Sequence, residues 1–422
     1  MSRNTWKMKQ SFALLDVGGS DIKSCIANIE DSHLQEIFRS KTPGNIQKAG
    51  NLYEIDPEVL LKEVENHIHS IRSTNSKITA LIISGQMGSW IVSDTKNKPV
   101  TSLISWQDNR AALNKINFSQ QMIENLGVEW LQKSGNEMRP GLPLLGLESI
   151  KKNLPHTENL RLHTLISWVS SQLSEDYVYL SHITDSASTG MVDITSKTWS
   201  TAAINFLDFD IELPELAVEM SEIGYSSVLS CPIYAPVGDQ QASLYGAELG
   251  SENTVVNIGT GGQVAAISNS HTSSDLQMRP YFNGKTIETR THLPAGRLIT
   301  KCVNTLFPSE NESDAFTYFL QQSEEFESAE YLDVNQLQKE DLFLSLDNHK
   351  FLPSIILNSM AEAYKSALLE INDKSLKNLI FAGGVGQKFK KLQRAIASGK
   401  NYEIAKSEET TLRGLMLLSK TL

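Results

Sequence analysis

The sequence predicts an α/β protein made of two similarly built halves. Three observations carry that reading. Apolar, β-branched runs alternate with stretches of helical periodicity, the pattern of α/β architecture. At 422 residues the chain is too long for one typical core and comfortable for two domains. The run Phe12–Ile29, FALLDVGGSDIKSCIANI, also shares its plan with Asn253–Asn269, NTVVNIGTGGQVAAISN. In each, an apolar strand carries a polar residue one before its end (Asp16, Asn257), then comes a loop of glycine and hydroxyl residues, then a returning strand.

The remaining elements follow in order. ITALIIS (Ile78–Ser84) is an apolar strand, and GQMG leads from it into a further strand, SWIVSD. AALNKINFSQQMIENLG (Ala111–Gly127) and HTLISWVSSQLS (His163–Ser174) read as amphipathic helices. A domain break is expected near Gly224 and Pro232, giving segments 1–230 and 231–422. The acidic stretch 308–348 is expected to be helical and peripheral. SIILNSMAEAYKSALLEIND (Ser354–Asp373) repeats its apolar positions at helical spacing. LIFAGGVGQ (Leu379–Gln387) is a buried strand running into a third glycine turn and a helix. In QKFKKLQR (Gln387–Arg394), Phe389 and Leu392 mark the inner side of a helix whose lysines form a solvated face.

Composition bounds the function. Hydrophobic residues make up 40% and charged residues 21%, with a formal net charge of -11. That balance argues against nucleic acid or an anionic membrane as partner. Cys25, Cys231 and Cys302 are widely separated and form no C-x-x-C, so neither a disulfide framework nor a zinc site is suggested. A reducing, cytoplasmic setting is the expectation. Neither a signal peptide nor an apolar run of spanning length is visible. Monomer and homodimer stay open.

Three glycine turns, DVGGS, NIGTGG and FAGGVG, each follow an apolar strand. Glycines let backbone N–H groups approach an anion closely. Three such loops, two on matching hairpins, favour a nucleotide clamped by two domains. None has the P-loop spacing, and none is a G-x-G-x-x-G opening a helix. Asp16 reads as a turn cap or as a carboxylate holding Mg²⁺ through water. Lys23 reads as an exposed strand residue or a phosphate contact, and Asp21 repels phosphates unless it faces elsewhere. In ISWQDNRAA (Ile104–Ala112), Trp106 offers an apolar face to sugar C–H groups. Asp108 can accept from hydroxyls, and Arg110 can donate in a fork or hold carboxylates. The bland alternative is a capped helix start. Gln86 adds a strand-end amide. In APVGDQQASLYGAEL (Ala235–Leu249), Asp239 taken alone is turn and helix N-cap chemistry.

Together, DVGGSDIK, SGQMG, WQDNRA, TDSASTGMVDITSKTW, VGDQQAS, NIGTGGQ and AGGVGQ resemble, in order, the elements of the FGGY carbohydrate kinases. The likeness runs over about residues 12–418. It implies two actin-like (ribonuclease H-like) α/β ATPase domains flanking a central cleft, using ATP and Mg²⁺. It implies that Asp239 is the catalytic base and that the domains close on bound ligands. The implied acceptor residues are Gln86, Met87, Trp106, Asp108, Arg110, Asp239 and Gln240. The implied nucleotide residues are Asp16, Gly18, Gly19, Ser20, Lys23, Gly259, Thr260, Gly261, Gly262, Gly383, Gly384 and Gln387, with Asp16 and Asp239 toward the metal.

SCPIYAPVGDQQASLYGA and MRPYFNGKTI resemble the members that phosphorylate sedoheptulose, which would feed the pentose phosphate pathway. The other readings are a kinase for a different ketose or polyol, such as xylulose, a ROK-like hexokinase (against which WQDNR argues) and a non-catalytic actin-like nucleotide-binding module. The first loop departs from the family's D-x-G-T-T: Gly19 stands at the first threonine and Ser20 at the second.

Overall fold

The first strand, β1 (Ser11–Val17), is buried along almost its whole length, as a near-continuous apolar run requires of a central strand. It pairs antiparallel with β2 (Asp21–Asn28), which pairs in turn with β3 (His33–Lys41). Helix α1 (Pro57–Ser73) starts where its sequence says it should: Asp56 accepts from the Glu58 and Val59 amides, and Pro57 holds the first turn. Its Leu60, Val64, Ile68 and Ile71 recur at helical spacing and are buried against the sheet. Strand β4 (Ile78–Gly85) runs parallel to β1, and α2 (Leu165–Leu173) adds Leu165, Ile166, Trp168 and Val169 to the same core. Then β5 (Glu222–Ser226), β6 (Cys231–Tyr234) and β7 (Val237–Gly238) complete the sheet, in the order β5-β6-β4-β1-β2-β3, with β7 alongside β4. Helix α3 (Asp239–Gly246) begins directly at the end of β7.

The second sheet repeats the scheme. Strand β8 (Asn253–Ile258) pairs antiparallel with β9 (Gly262–Ile267), and β9 with β10 (Thr286–Leu293). Helix α4 (Leu352–Glu370) is buried along most of its length. Strand β11 (Asn378–Ala382) runs parallel to β8, as β4 does to β1, and turns into α5 (Gly384–Lys388). Helix α6 (Lys390–Ala397) and strand β12 (Tyr402–Ile404) follow.

These statements come from a computed structural model that describes residues 10–30, 33–47, 50–74, 76–113, 118–155, 159–268, 276–332, 349–371 and 378–422. The chain divides into two compact units. The first takes Met1–Gly246, Ser270–Thr286 and Thr411–Leu422; the second takes Ala247–Asn269 and Ile287–Thr410. The break expected at 230/231 falls inside the first unit's main segment, because β6 and β7 pair with β4.

Two helix expectations shift. The helix expected from Ala111 begins at Phe118. Arg110–Ala112 form only a 3-10 turn, and 114–117 lie outside the described residues. In the acidic stretch a helix forms over Glu312–Glu325, while 333–348 lie outside the described residues. Among the described residues, no helix is long and apolar enough to cross a membrane. The three cysteines are buried and none is in a disulfide.

Candidate active site

Asp16 is next to last in β1, level with Lys23 on β2 and Ser84 on β4. It is buried, and Oδ1 accepts from the Ser84 hydroxyl at 3.0 Å. The turn after it is pinned at both ends: the Gly18 amide donates to the Asp21 carbonyl, and the Thr42 hydroxyl donates to the Gly18 carbonyl. Asp21 does not load the loop with free negative charge, because Lys41 pairs with it at 2.9 Å. Gly19 and Ser20 are exposed. A Cβ at Gly19 would lie 3.3 Å from Gln86 Oε1 and 3.8 Å from Trp106 Nε1. A side chain here would stand in contact with the residues expected to hold the acceptor, close to Gln86 Oε1 and at ordinary distance from Trp106.

Gln86 follows β4, and its amide donates to the Val17 carbonyl. Its side-chain Nε2 is buried without a hydrogen-bond partner, a donor left for a ligand or water. Met87 is buried, with its sulfur against Gly238 and 3.7 Å from Arg279 Nη1. Trp106 remains partly exposed, its backbone fixed by the Ser89 hydroxyl. Asp108 and Arg110 are committed inward. Asp108 is 2% exposed and accepts from the Tyr53 amide, the Arg110 amide and the Arg110 guanidinium. Arg110 reaches on to Glu54. This pair braces the loop that carries Trp106.

Asp239 opens α3 and is partly exposed. Its Oδ1 accepts from the Gln240 amide at 2.8 Å. Desolvation is the largest influence on it, and the charge of Asp16 adds to that. Together with Asp185 they outweigh the Gln240 amide and Arg279, and push the carboxyl up to about 7. The turn Ile183–Ser186 braces the residue before Asp239: the Gly238 amide donates to Thr184 Oγ1, and His182 Nδ1 also bonds that hydroxyl. Asp185 is fully buried and is itself raised to about 7 by desolvation.

Sequence reasoning gave no role to Arg279, Glu137, Arg139, Thr184 or Asp185. Arg279 grips Gln240 Oε1 with one arm and the buried Glu137 with the other. The signals were there. TDSAS and MRPYFNGKTI had been read as motif letters only, and NEMRPG sets a carboxylate and a guanidinium two residues apart, as WQDNR does.

The second unit holds the other two loops. Gly259, Thr260 and Gly261 are accessible, and a Cβ at Gly261 or Gly384 would meet nothing within 4 Å. The Gly259 carbonyl is tied down by the Gly296 amide. Gly383 has φ +77, and a Cβ there would lie 2.6 Å from Asn257 Oδ1 and from Ile258, so only glycine fits. Gln387 turns its amide to the Ser407 carbonyl at 2.8 Å and braces the loop from behind. Open glycine backbone of this kind fits a polyphosphate. Among the described residues, no group of three or more His, Cys, Asp or Glu could hold a metal ion. Asp16 and Asp239 fit the one or two carboxylates that Mg²⁺ takes when most of its ligands are water and phosphate.

A probable glycerol kinase from Caenorhabditis elegans is 25% identical over 222 residues, covering 50% of this chain and 44% of that protein. A xylulose kinase from Lactococcus lactis subsp. lactis is 26% identical over 213 residues, covering 46% and 40%. The chain thus spans half or less of the length of these curated relatives. The solved structure of a ligand-bound xylulose kinase from Lactobacillus acidophilus superimposes with TM-score 0.83 at 18% identity, covering 98% of this chain and 89% of that one. The expected two-domain, actin-like α/β fold is the fold found. The profile of the FGGY family of carbohydrate kinases, N-terminal domain, matches residues 12–266, more than half of the sequence, and the chain belongs to that family.

Proposed function

We propose that this protein is an ATP-dependent sugar kinase in which Asp239 is the general base. The observation that carries the reading is the state of that carboxyl: partly exposed, at a strand-to-helix junction, and pushed up to about 7. A base is most effective when its pKa lies near the working pH, and an ordinary aspartate lies far below it. Asp239 would take the proton from the acceptor hydroxyl late, as phosphoryl transfer nears completion. Gln86 Nε2, Met87 and the face of Trp106 would orient the acceptor, with Gln240 held ready by Arg279. Asp108 and Arg110 would keep Trp106 in position.

The phosphate side is assigned to Gly18, Gly19, Ser20 and Lys23 in the first unit. In the second it is assigned to Gly259, Thr260, Gly261, Gly262, Gly383 and Gly384. Mg²⁺, when bound beside Asp16 and Asp239, supplies charge neutralisation for the transferred phosphoryl group.

The acceptor we propose is sedoheptulose, giving sedoheptulose 7-phosphate, on the likeness of SCPIYAPVGDQQASLYGA and MRPYFNGKTI. A xylulose or polyol acceptor is the second reading, favoured by relatives named as xylulose and glycerol kinases. Buried cysteines without disulfides suit the cytoplasmic setting we assign. The test is coupled ADP release with MgATP against sedoheptulose, xylulose, ribulose, fructose, glucose, glycerol and gluconate. Turnover confined to sedoheptulose supports both parts. Turnover with another sugar keeps the mechanism and removes the acceptor. ATP hydrolysis indifferent to every sugar overturns the kinase reading in favour of a nucleotide-binding module.

A further inference from the structure

We propose that Arg139 sets acceptor specificity by donating its guanidinium fork to two neighbouring hydroxyl oxygens of a neutral sugar chain. The assignment rests on the sugar-kinase reading above. It starts from a donor count. A guanidinium carries five N–H donors. Among the described residues, those of Arg139 find only the Trp106 carbonyl, at 3.5 Å, and Glu137 Oε2, at 4.0 Å. The first contact is at the limit of a hydrogen bond and the second is beyond it. Glu137 Oε2 itself has no hydrogen-bond partner, because Glu137 spends Oε1 on Arg279. Burying a guanidinium with most of its donors unmet is costly unless something else supplies oxygen atoms.

The surroundings have been shaped for this group. Gly88 has φ +79, and a Cβ there would come within 2.4 Å of Arg139 Nη2. The fork therefore lies on bare backbone immediately after Gln86 and Met87. Gly141, two residues past Arg139, is pressed onto the Trp106 carbonyl, which a Cβ would approach to 1.9 Å. Arg139 is thus held against both segments assigned to the acceptor. Its side chain keeps 20% of its surface accessible, enough for a ligand to reach. Arg279 does not compete, since its arms are taken by Gln240, Met87 and Glu137.

The charges around it choose the ligand class. Two guanidinium groups, Arg139 and Arg279, stand with the carboxylates Glu137 and Asp239, and Asp16 adds a further negative charge that Asp239 senses. A second anion brought in by the acceptor would meet a neutral or negative cradle. Hydroxyl oxygens meet the unmet donors without adding charge. Burial holds the Arg139 guanidinium below its ordinary value, and Arg279 pushes the same way against Glu137. The local groups therefore leave it under-compensated, as an open subsite should be.

The test is steady-state kinetics on full-length wild type, Arg139→Gln and Arg139→Lys, with MgATP and sedoheptulose, xylulose or gluconate. Acceptor-induced thermal shift without nucleotide is measured alongside. Losing charge-assisted hydrogen bonds should raise the KM for the ketoses by about tenfold or more in Arg139→Gln. The KM for ATP should not move, and kcat should change much less than KM. Arg139→Lys keeps the charge, loses the fork, and should show the same rise. The thermal shift caused by the ketose should shrink in both variants. Ketose KM values unchanged in Arg139→Gln overturn the proposal. So does a parallel loss in kcat and in ATP affinity, which marks a structural role. Gluconate outperforming the ketoses and depending on Arg139 overturns the hydroxyl assignment in favour of a carboxylate. Wild-type silence with every sugar overturns the kinase reading instead, so the two failures are told apart.

Discussion

The two glycine hairpins are built alike and equipped differently. In β1–β2 the next-to-last residue of the first strand is Asp16; in β8–β9 it is Asn257. Each strand has a parallel neighbour with a glycine at its end (Gly85) or just past it (Gly383) packed on it. Gly85 approaches the Val17 carbonyl, and Gly383 approaches Ile258, each so closely that a Cβ would lie 2.6 Å away. Beyond that glycine the two regions part. After Gly85 come Gln86 and Met87, side chains proposed above to orient an acceptor. After Gly383 come Gly384 and the start of α5, bare backbone. Under the kinase reading proposed above, one architecture would serve two chemistries: a carboxylate where a metal and a base are managed, and a neutral amide where a second carboxylate would repel phosphate.

The sharpest way to break this contrast is to neutralise the base. Asp239→Asn should lower kcat by about 10²–10⁴-fold, the span of general-base catalysis, and leave acceptor-induced thermal shifts nearly intact. Wild-type turnover in that variant removes Asp239 from the mechanism.

Exchanging the hairpin residues comes next. Asp16→Asn should lower kcat less than Asp239→Asn does. It should also move the acid limb of the kcat/KM profile, expected near pH 7, to lower pH, because the Asp16 charge helps to raise Asp239. Asn257→Asp, the converse exchange, should raise the KM for ATP about tenfold, roughly 1.4 kcal/mol, with the acceptor KM steady. An unchanged acid limb in the first variant, or unchanged ATP affinity in the second, would mean that the two hairpins are interchangeable.

Gly383→Ala should cost about 1–2 kcal/mol of stability from the left-handed backbone alone, read by denaturant titration, and weaken ATP binding. Gly384→Ala, where a Cβ has open space, is the control.

A further effect concerns the turn behind Asp239. Asp185 in the folded protein titrates near 7, above the ordinary carboxylate range. Its contribution to stability is full below about pH 4 and is lost as pH rises through about 7. Wild type should therefore lose Tm between pH 5 and pH 8, and Asp185→Asn should flatten that loss. An identical slope in the variant would show that another group titrates.

The local pattern of the fold was legible in the chain. Alternation of apolar strands and helical stretches, and the echo between Phe12–Ile29 and Asn253–Asn269, already stated two α/β halves, because burial period and glycine turns are local properties. So were the glycine loops and the turn that sets Asp239 at the start of a helix. Arg279 was not legible as a partner of Glu137, because 142 residues separate them and only folding makes them neighbours. Asp108 could be read as an acceptor for substrate hydroxyls or as a helix cap. What the chain could not show is its burial against the Tyr53 amide and Arg110, because burial is a sum over distant segments. The same holds for the domain break, where pairing of β6 and β7 with β4 carries the first unit past Pro232. Residue types and their spacing determined which chemistry was available. Tertiary structure decided which groups were desolvated, which were already spent on one another, and which were left with donors to give, because those are properties of surroundings that no single stretch of sequence contains.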